Sequence, residues 1–260
     1  MSRRNEITYQ HRSLLMQNLD GEGPSPYSLF QIYPMIMTRE VYNELSKNLN
    51  CHIRVYFALD VYGSYNPTKA LSSGVGSELN TKKADFAARL SADSRLSTIV
   101  EQMTSKIAEK RGISLSTKAV SAGAPTIYPR MIAVPAYKLD EIDSSSHNKV
   151  WDPIFRDTKI FELIDGAPHT AEVAKMWIEN WAYAAGELDN FTASFTFPRP
   201  NFVEIFENED SNYALLELGM RKDMAIMSRA CTSTGVPLSD AYIGDHACPC
   251  PPFCNDGTNW

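Results

Sequence analysis

The chain has 260 residues, 43% of them hydrophobic and 22% charged, and a net charge of −6 at pH 7. This composition is that of a globular protein of one or two domains, and the negative charge argues against a general affinity for nucleic acid. No run of about 18 apolar residues is present, so no segment is expected to span a membrane. The N-terminus has no apolar signal region, which favours a reducing cytosol.

Acidic residues are concentrated between Glu187 and Glu217, where seven acidic residues accompany one basic residue, Arg199. A solvated acidic face is the simpler interpretation of this window. The alternative is an acidic contact surface for a basic partner.

Three regions are predicted along the chain: an N-terminal arm (1–26), a single globular domain (27–231) and a Cys/Pro-rich C-terminal tail (232–260). In the arm, Leu14, Leu15 and Leu19 can line one side of a short helix, which the following Gly and Pro residues end. The arm is either a disordered tail or a segment that docks on a neighbouring subunit.

The clearest local pattern is the segment Cys51–Tyr65, in which aliphatic and polar or aromatic residues alternate with a period of two. This alternation predicts a half-buried strand. One side is aliphatic, whereas the other has His52, Arg54, Tyr56 and Asp60. We expect a core on the first side and a wet or partner-facing surface on the second.

The remaining periodicities predict a mixture of helices and strands, and therefore an α+β fold. Helices are expected at Thr38–Leu49, Thr81–Ser91, Ser94–Arg111, Trp151–Ile164, Thr170–Leu188 and Ser211–Ala230. Strands are expected at Tyr27–Met37, Phe191–Phe197 and Phe202–Phe206, with short or edge strands between 113 and 139.

The tail contains one dense group of possible metal ligands, His246, Cys248, Cys250 and Cys254. These four groups could hold a tetrahedral zinc ion, although a Cys-x-Cys step is tighter than a usual zinc knuckle. A disulfide, which might involve Cys231, is a second interpretation. Free thiols in a coil are the favoured one.

Sequence signatures of hydrolases and nucleotide-binding enzymes are absent: there is no Gly-x-Ser-x-Gly, His-Glu-x-x-His, P-loop or kinase motif. We therefore expect no enzymatic activity and no cofactor. A catalytic triad assembled in three dimensions is not excluded, because such triads are recognised by geometry.

Tyrosine is abundant, with 12 residues, and Tyr56, Tyr62 and Tyr65 cluster on the polar side of the predicted strand and its exit. Tyrosine is enriched at interfaces, since it offers a large rigid surface with a polar tip. Ordinary core and rim positions are the simpler interpretation. Phenols ionise near pH 10, so interfaces built on them weaken in strong alkali.

Several short segments, taken in order, resemble the polyhedrins of cypoviruses, and together they touch about half of the chain. The tail beyond about Leu218 departs from the pattern of that family, which ends sooner and lacks the Cys cluster. The matching segments are Gln10–Leu15, RVYFALDVYGS at 54–64, AVPAYKLDE at 133–141, Trp151 with the stretch after it, and the Trp-rich helix leading to Asn212–Leu215.

The resemblance implies a viral matrix protein without enzymatic activity, built on an antiparallel β-sandwich with packed helices. Such proteins form trimers, and an N-terminal helix reaches into neighbouring trimers. The lattice encases virions as occlusion bodies in the host cytoplasm, dissolves in alkali and can trap nucleotides. The subunit contacts expected here are Arg12, Leu14, Leu15, Tyr56, Tyr62 and Tyr65.

Two other functions stay open. A coat or nucleocapsid protein of a filamentous virus suits the arm and the helices, although the acidic balance argues against strong RNA coating. An enzyme or zinc-binding module that uses the Cys/His tail is the third possibility.

Overall fold

The computed structural model describes residues 8–21, 25–47, 51–61, 85–112, 127–138, 151–153, 160–163, 168–189, 191–197, 199–220, 224–238, 242–244 and 248–250. Both helices and strands are present, and the strand pairs are antiparallel. The fold class is therefore α+β, as predicted.

Helices occur throughout the described chain. They are α1 (Tyr9–Gly21), a 3-10 helix (Pro26–Gln31), α2 (Arg39–Leu45), α3 (85–92), α4 (Ser94–Arg111), α5 (Ala171–Ala185), α6 (Arg199–Val203) and a π-helical turn (Glu204–Asn208).

The strands form two sheets, a small sheet in the order β1-β8-β9-β10 and a large sheet in the order β11-β7-β2-β3-β5-β6, with β4 also paired to β3. Their bounds are β1 Met35–Thr38, β2 Cys51–Val61, β3 Ile127–Lys138, β4 Trp151–Pro153, β5 Ile160–Glu162, β6 Pro168–His169, β7 Ser194–Phe197, β8 Tyr213–Met220, β9 Met224–Ala230, β10 Ile243–Gly244 and β11 Cys248–Cys250.

Local capping chemistry explains where three predicted helices begin and end. The hydroxyls of Thr38 and Thr170 accept hydrogen bonds from backbone N–H groups in the first turns of α2 and α5. The Asp93 carboxylate caps α4, which begins at Ser94 as expected, and Gly112 ends this helix at φ 61°. The predictions of these helices are confirmed, apart from α2 and α5 ending a few residues earlier than expected.

The prediction of a helix at Ser211–Ala230 is wrong, because this segment forms the paired strands β8 and β9. In β8, Leu216 and Leu218 face the main core, while Leu215, Glu217 and Gly219 alternate with them toward α1. A strand covered on both sides has no clean period of two, so its sequence is easily mistaken for a buried helix.

Three further assignments are corrected. The predicted strand at Tyr27–Met37 is the 3-10 helix followed by β1, and the predicted helix at Trp151–Ile164 contains β4 and β5. The predicted strand Phe202–Phe206 is helical, and its buried residues Phe202, Ile205 and Phe206 have the i, i+3, i+4 spacing of a helix. Within the predicted coil tail, β10 and β11 add short strands to the two sheets.

An aromatic cluster occupies the centre of the core. The fully buried ring of Trp181 lies 5.2 Å from the rings of Tyr27 and Phe30 and 5.4 Å from that of Phe57. The indole Nε1 of Trp181 donates to the carbonyl of Thr192 at 2.9 Å, so its one polar atom is satisfied. Trp181 is therefore a core residue.

The segment formed by α6 and the π-helical turn connects the two sheets. Helix α6 contacts β2 of the large sheet, and the turn contacts β8 and β9 of the small sheet. Phe202 packs on Phe197 at 5.0 Å, and Phe206 stacks on Tyr42 at 4.7 Å. One continuous hydrophobic cluster therefore includes residues of both sheets.

Two core tyrosines make stability sensitive to alkali. Burial, the larger cause, and the hydrogen bond that its hydroxyl donates to Glu207 together raise the pKa of Tyr42 to about 12. Burial likewise raises the pKa of Tyr27 to about 12. In the unfolded chain both phenols ionise near pH 10, so the stabilisation is complete below pH 10 and is lost as the pH rises toward 12.

We therefore expect the free energy of unfolding of Tyr42→Phe to fall less steeply than that of the wild type between about pH 9 and about pH 11, because one phenol no longer ionises on unfolding. Urea titrations at the two pH values measure this slope. Tyr9→Phe, which alters an exposed phenol, is the control and should keep the wild-type slope. Equal slopes for all three proteins would contradict the assignment.

Candidate subunit-contact surface and a buried ion cluster

Neither side of β2 faces solvent. Its aliphatic side belongs to the main core, as predicted, but its polar side lies beneath α5 in a second cluster that includes Tyr56 and Trp177. Arg54 is buried and donates from Nε to the hydroxyl of Thr196 on β7 at 2.9 Å. The expectation of a wet or partner-facing surface on this strand is therefore wrong.

The polar side of β2 is accommodated by an ion cluster under α5. Arg130 on β3 lies 3.1 Å from the carboxylate of Asp60 on β2 and 3.5 Å from that of Glu162 on β5. The guanidinium carbon of Arg130 lies 5.2 Å from the ring centroid of Trp177, and the ring of His169 meets the same indole edge-on at 4.9 Å. Glu162 is fully buried.

This cluster is an internal clamp. Each charged partner of Arg130 comes from a different strand, and the cation–π contact adds α5. One guanidinium therefore joins three strands of the large sheet and the helix that covers them. The arrangement is suited to positioning α5 on the sheet.

Helix α1 docks on the outer side of the small sheet of its own chain. Leu15 is buried against Met227 on β9 and Ile243 on β10, and Leu19 reaches the main core. The side-chain amide of Asn18 donates to the carbonyl of Met220 at 3.2 Å. The arm is therefore an ordered helix with an apolar side, as the leucine spacing predicted.

An ion pair also holds α1 in place. Arg12 binds Glu217 on β8 with two hydrogen bonds, and the one from Nε is 2.6 Å long. Both side chains are about nine-tenths buried, with 11% and 10% of their surface exposed. The hydrogen bond to Glu217 raises the pKa of Arg12, although burial opposes this.

Close approach of α1 requires a glycine in β8. A Cβ atom at Gly219 would lie 2.9 Å from the Cβ of Leu15 and 3.2 Å from its backbone carbonyl carbon. Only a hydrogen atom fits at this distance, so the lack of a side chain at Gly219 lets α1 pack directly on β8. We call this close contact between Gly219 and Leu15 the glycine notch.

The predicted contact residues have different positions in this chain. Arg12 and Leu15 bind the small sheet, whereas Leu14 is 54% exposed and remains free for a partner. Tyr56 is only 1% exposed and lies inside the molecule, so it offers no surface to another subunit. Tyr62 and Tyr65 lie outside the described residues.

The predicted metal ligands are described only in part. The backbones of Cys248 and Cys250 lie opposite Thr196 and Ser194 in the pairing of β11 with β7, while His246 and Cys254 lie outside the described residues. Within the described ranges no group of three or more His, Cys, Asp or Glu side chains is placed to hold a metal ion.

The remaining described thiol, Cys231, is free and buried. Burial raises the pKa of this thiol to about 11, which keeps it protonated and unreactive at neutral pH.

The large apolar side chains that the described chain exposes come from two short segments, α1 and the loop that follows β9. They are Tyr9, Leu14, Val236 and Leu238. Sequence reasoning missed the last two, which flank Pro237 in the segment predicted to be a Cys/Pro-rich tail.

No protein-family model matches the chain, and neither a curated protein nor a solved structure is significantly similar to it. Among the helices of the described ranges, none has both the length and the apolar character needed to cross a membrane.

We expect Gly219→Ala to loosen α1 and leave the rest of the fold intact, because the added methyl group meets Leu15 and its backbone. Hydrogen exchange should become faster in residues 12–19 and stay unchanged in β2 and β3. Gly21→Ala is the matched control, since a Cβ there meets nothing within 4 Å. Unchanged exchange in α1 of the Gly219→Ala protein would contradict the notch.

We expect Glu162→Gln to lower the free energy of unfolding by about 3 kcal/mol, because it removes one carboxylate from a buried guanidinium. Denaturant unfolding measures the change. Glu101→Gln, at an exposed position on α4, should change stability by less than about 0.5 kcal/mol. Equal stabilities of the two variants would show that the ion cluster does not hold the sheet.

Proposed function

We propose that the chain is a self-assembling viral structural protein, similar to polyhedrins. In this proposal homotrimers pack into the crystalline matrix of occlusion bodies in the host cytoplasm, where the matrix encases virions. One observation carries the self-assembly: the large apolar side chains exposed in the described chain lie on the arm helix and on the loop after β9. The viral role rests on the segments that resemble polyhedrins.

The docking of α1 supports assembly in a second way. Its apolar side, its ion pair and its glycine notch form a self-contained set of contacts between a terminal helix and the small sheet. The small sheet of another copy offers the same notch and the same carboxylate. Exchange of identical terminal elements is a common route from monomer to oligomer, since it creates the same contacts between two chains.

The ion cluster adds no catalytic function to this proposal. Its guanidinium is held between two carboxylates, and Glu162 is enclosed. A scaffold of this kind stiffens a subunit that must pack repeatedly in one orientation.

Expression of the full chain in insect cells is the test of this function. Intracellular crystals that dissolve at high pH are expected, and soluble monomers under all conditions would overturn the proposal. Co-purified RNA with salt-sensitive binding would instead support the function of a coat protein. One equivalent of bound zinc that is lost in Cys248→Ser would replace it with a zinc-binding module.

We expect Leu14→Glu to abolish or strongly reduce crystal formation, because it places a charge on an exposed apolar contact. The thermal melting temperature of the variant should stay near that of the wild type, since Leu14 is exposed. Crystal counts per cell and a melting curve measure the two effects. Ala182→Glu, at an exposed position on α5, is the matched control and should still crystallise. Normal crystals from Leu14→Glu would remove this residue from the contact surface.

A further inference from the structure

We propose that Arg229 on β9 receives a carboxylate from a second copy of this chain, supplied by the acidic turn 207–210. This contact rests on the proposed self-assembly and names the pair of surfaces that would meet.

Arg229 forms no ion pair within the described chain. Its side chain is buried, with 5% of the residue exposed, and one terminal nitrogen donates to the carbonyl of Leu238 at 2.9 Å. The Nε atom is buried and has no hydrogen-bond partner. Within the described chain, no carboxylate lies within ion-pair distance of this guanidinium. A buried charge of this kind is costly unless a partner neutralises it.

The surroundings of Arg229 carry an excess of positive charge. Glu217 lies close enough to act electrostatically on Arg229, but it already accepts both hydrogen bonds of Arg12. Two guanidinium groups therefore share one carboxylate, and the positive charge of Arg12 also reaches Arg229. Burial lowers the pKa of Arg229, and Glu217 offsets this only in part. One more carboxylate would neutralise the net positive charge of Arg12, Arg229 and Glu217.

Exposed apolar side chains occur in the loop that binds this guanidinium. Leu238, whose carbonyl binds Arg229, has an exposed side chain, and Val236 in the same loop is exposed as well. Tyr9 stacks on Arg12 at 5.6 Å and lies within electrostatic reach of Arg229. A desolvated arginine with aromatic and aliphatic neighbours is the typical centre of a protein interface. We call Tyr9, Arg229, Val236 and Leu238 the basic patch.

The acidic turn provides the complementary group. Asp210 has a φ of 50°, which is unusual for a residue other than glycine, and its side chain is 91% exposed. One carboxylate oxygen of Asp210 accepts from Arg39 at 2.8 Å, and Glu207, also in this turn, is exposed. The turn therefore presents carboxylates to solvent on a backbone that the helix before it and β8 after it hold in place.

Charge decides between the possible partners. Two basic patches would repel each other, so the patch does not pair with itself. The chain has a net charge of −6, and two residues of the acidic turn, Glu207 and Asp210, are exposed, so a second copy offers the matching sign. A contact between two different surfaces of identical chains leaves both surfaces available at the ends, which permits continued growth. This is the type of contact that a lattice requires.

The test uses the full-length soluble protein, analysed by sedimentation velocity over a range of concentrations. Arg229→Gln and Asp210→Asn should each weaken self-association by about tenfold or more, as expected for a central charged contact. Asparagine tolerates the left-handed backbone at 210, so this variant keeps the turn. Arg95→Gln and Asp189→Asn, at exposed positions, are the matched controls and should associate like the wild type.

Mixing the two variants separates an interface from a folding effect. The Asp210→Asn protein keeps Arg229 and the Arg229→Gln protein keeps Asp210, so an equimolar mixture can form one intact contact. We expect heterodimers in the mixture at concentrations where each variant alone is monomeric. Growth beyond the dimer should stop, because the two surfaces that remain unpaired in the heterodimer carry the substitutions Arg229→Gln and Asp210→Asn.

The melting temperature supplies a second readout. Arg229→Gln should leave the melting temperature of the monomer unchanged or raise it, because it removes a buried unpaired charge. A lower melting temperature, with no heterodimer on mixing, would assign Arg229 to the fold of its own chain and overturn the inference. Association by both variants at wild-type strength would also overturn it.

The outcomes for this contact and for the proposed function can be told apart. If the wild type associates through the patch but forms no crystals in insect cells, the contact stands and the occlusion-body function fails. If crystals form and the two variants still crystallise and associate normally, the function stands and this contact is wrong.

Discussion

The packing of α5 on β2 is the contact on which the rest of the large sheet depends. The two tryptophans of this helix enter different clusters: Trp181 lies in the aromatic core, and Trp177 lies over the ion cluster. Because one rigid helix contributes to both, it fixes the position of the sheet relative to the core. The amide of Asn180, between the two rings, donates to the carbonyl of Leu59 at 2.8 Å and ties the helix to the strand itself.

Burial of the polar side of β2 sets a requirement for paired charges. A guanidinium beneath a helix is tolerated only when carboxylates and an aromatic face replace water around it. Arg130 meets this requirement with two carboxylates and an indole. Arg229 under α1 does not, since its nearest acidic neighbour is already occupied by Arg12. Arg130 therefore acts as an internal clamp, whereas Arg229 is the arginine that we propose for a contact with another chain.

Short-range patterns accounted for the elements whose buried side is a single stripe. Periodicity predicted α2, α4 and α5, and the caps Thr38 and Thr170 and the left-handed Gly112 lie at their ends. The same reasoning failed at β8 and β9, because α1 and the main core cover opposite sides of this pair and leave neither side exposed. Such a segment lacks the regular alternation of polar and apolar residues that identifies a half-buried strand.

The residues expected to make subunit contacts lie in different environments for a similar reason. The leucines of the arm indicated an apolar helix, but their spacing does not say which of them meets the body and which meets a partner. Leu15 packs against Gly219 and is buried, which leaves Leu14 exposed on the outside of the helix. Val236 and Leu238 were missed because isolated apolar residues in a coil carry no periodic signal.

The sequence by itself determined the mixture of helices and strands and the alternation of β2, since each follows from neighbours within one or two turns of the chain. Only the tertiary structure decided that the polar side of β2 is buried and that the arm lies on the small sheet. Arg130 meets Asp60 across 70 positions of sequence, and Arg12 meets Glu217 across 205. Pairings at such separations depend on the whole packed chain, so local periodicity cannot reveal them.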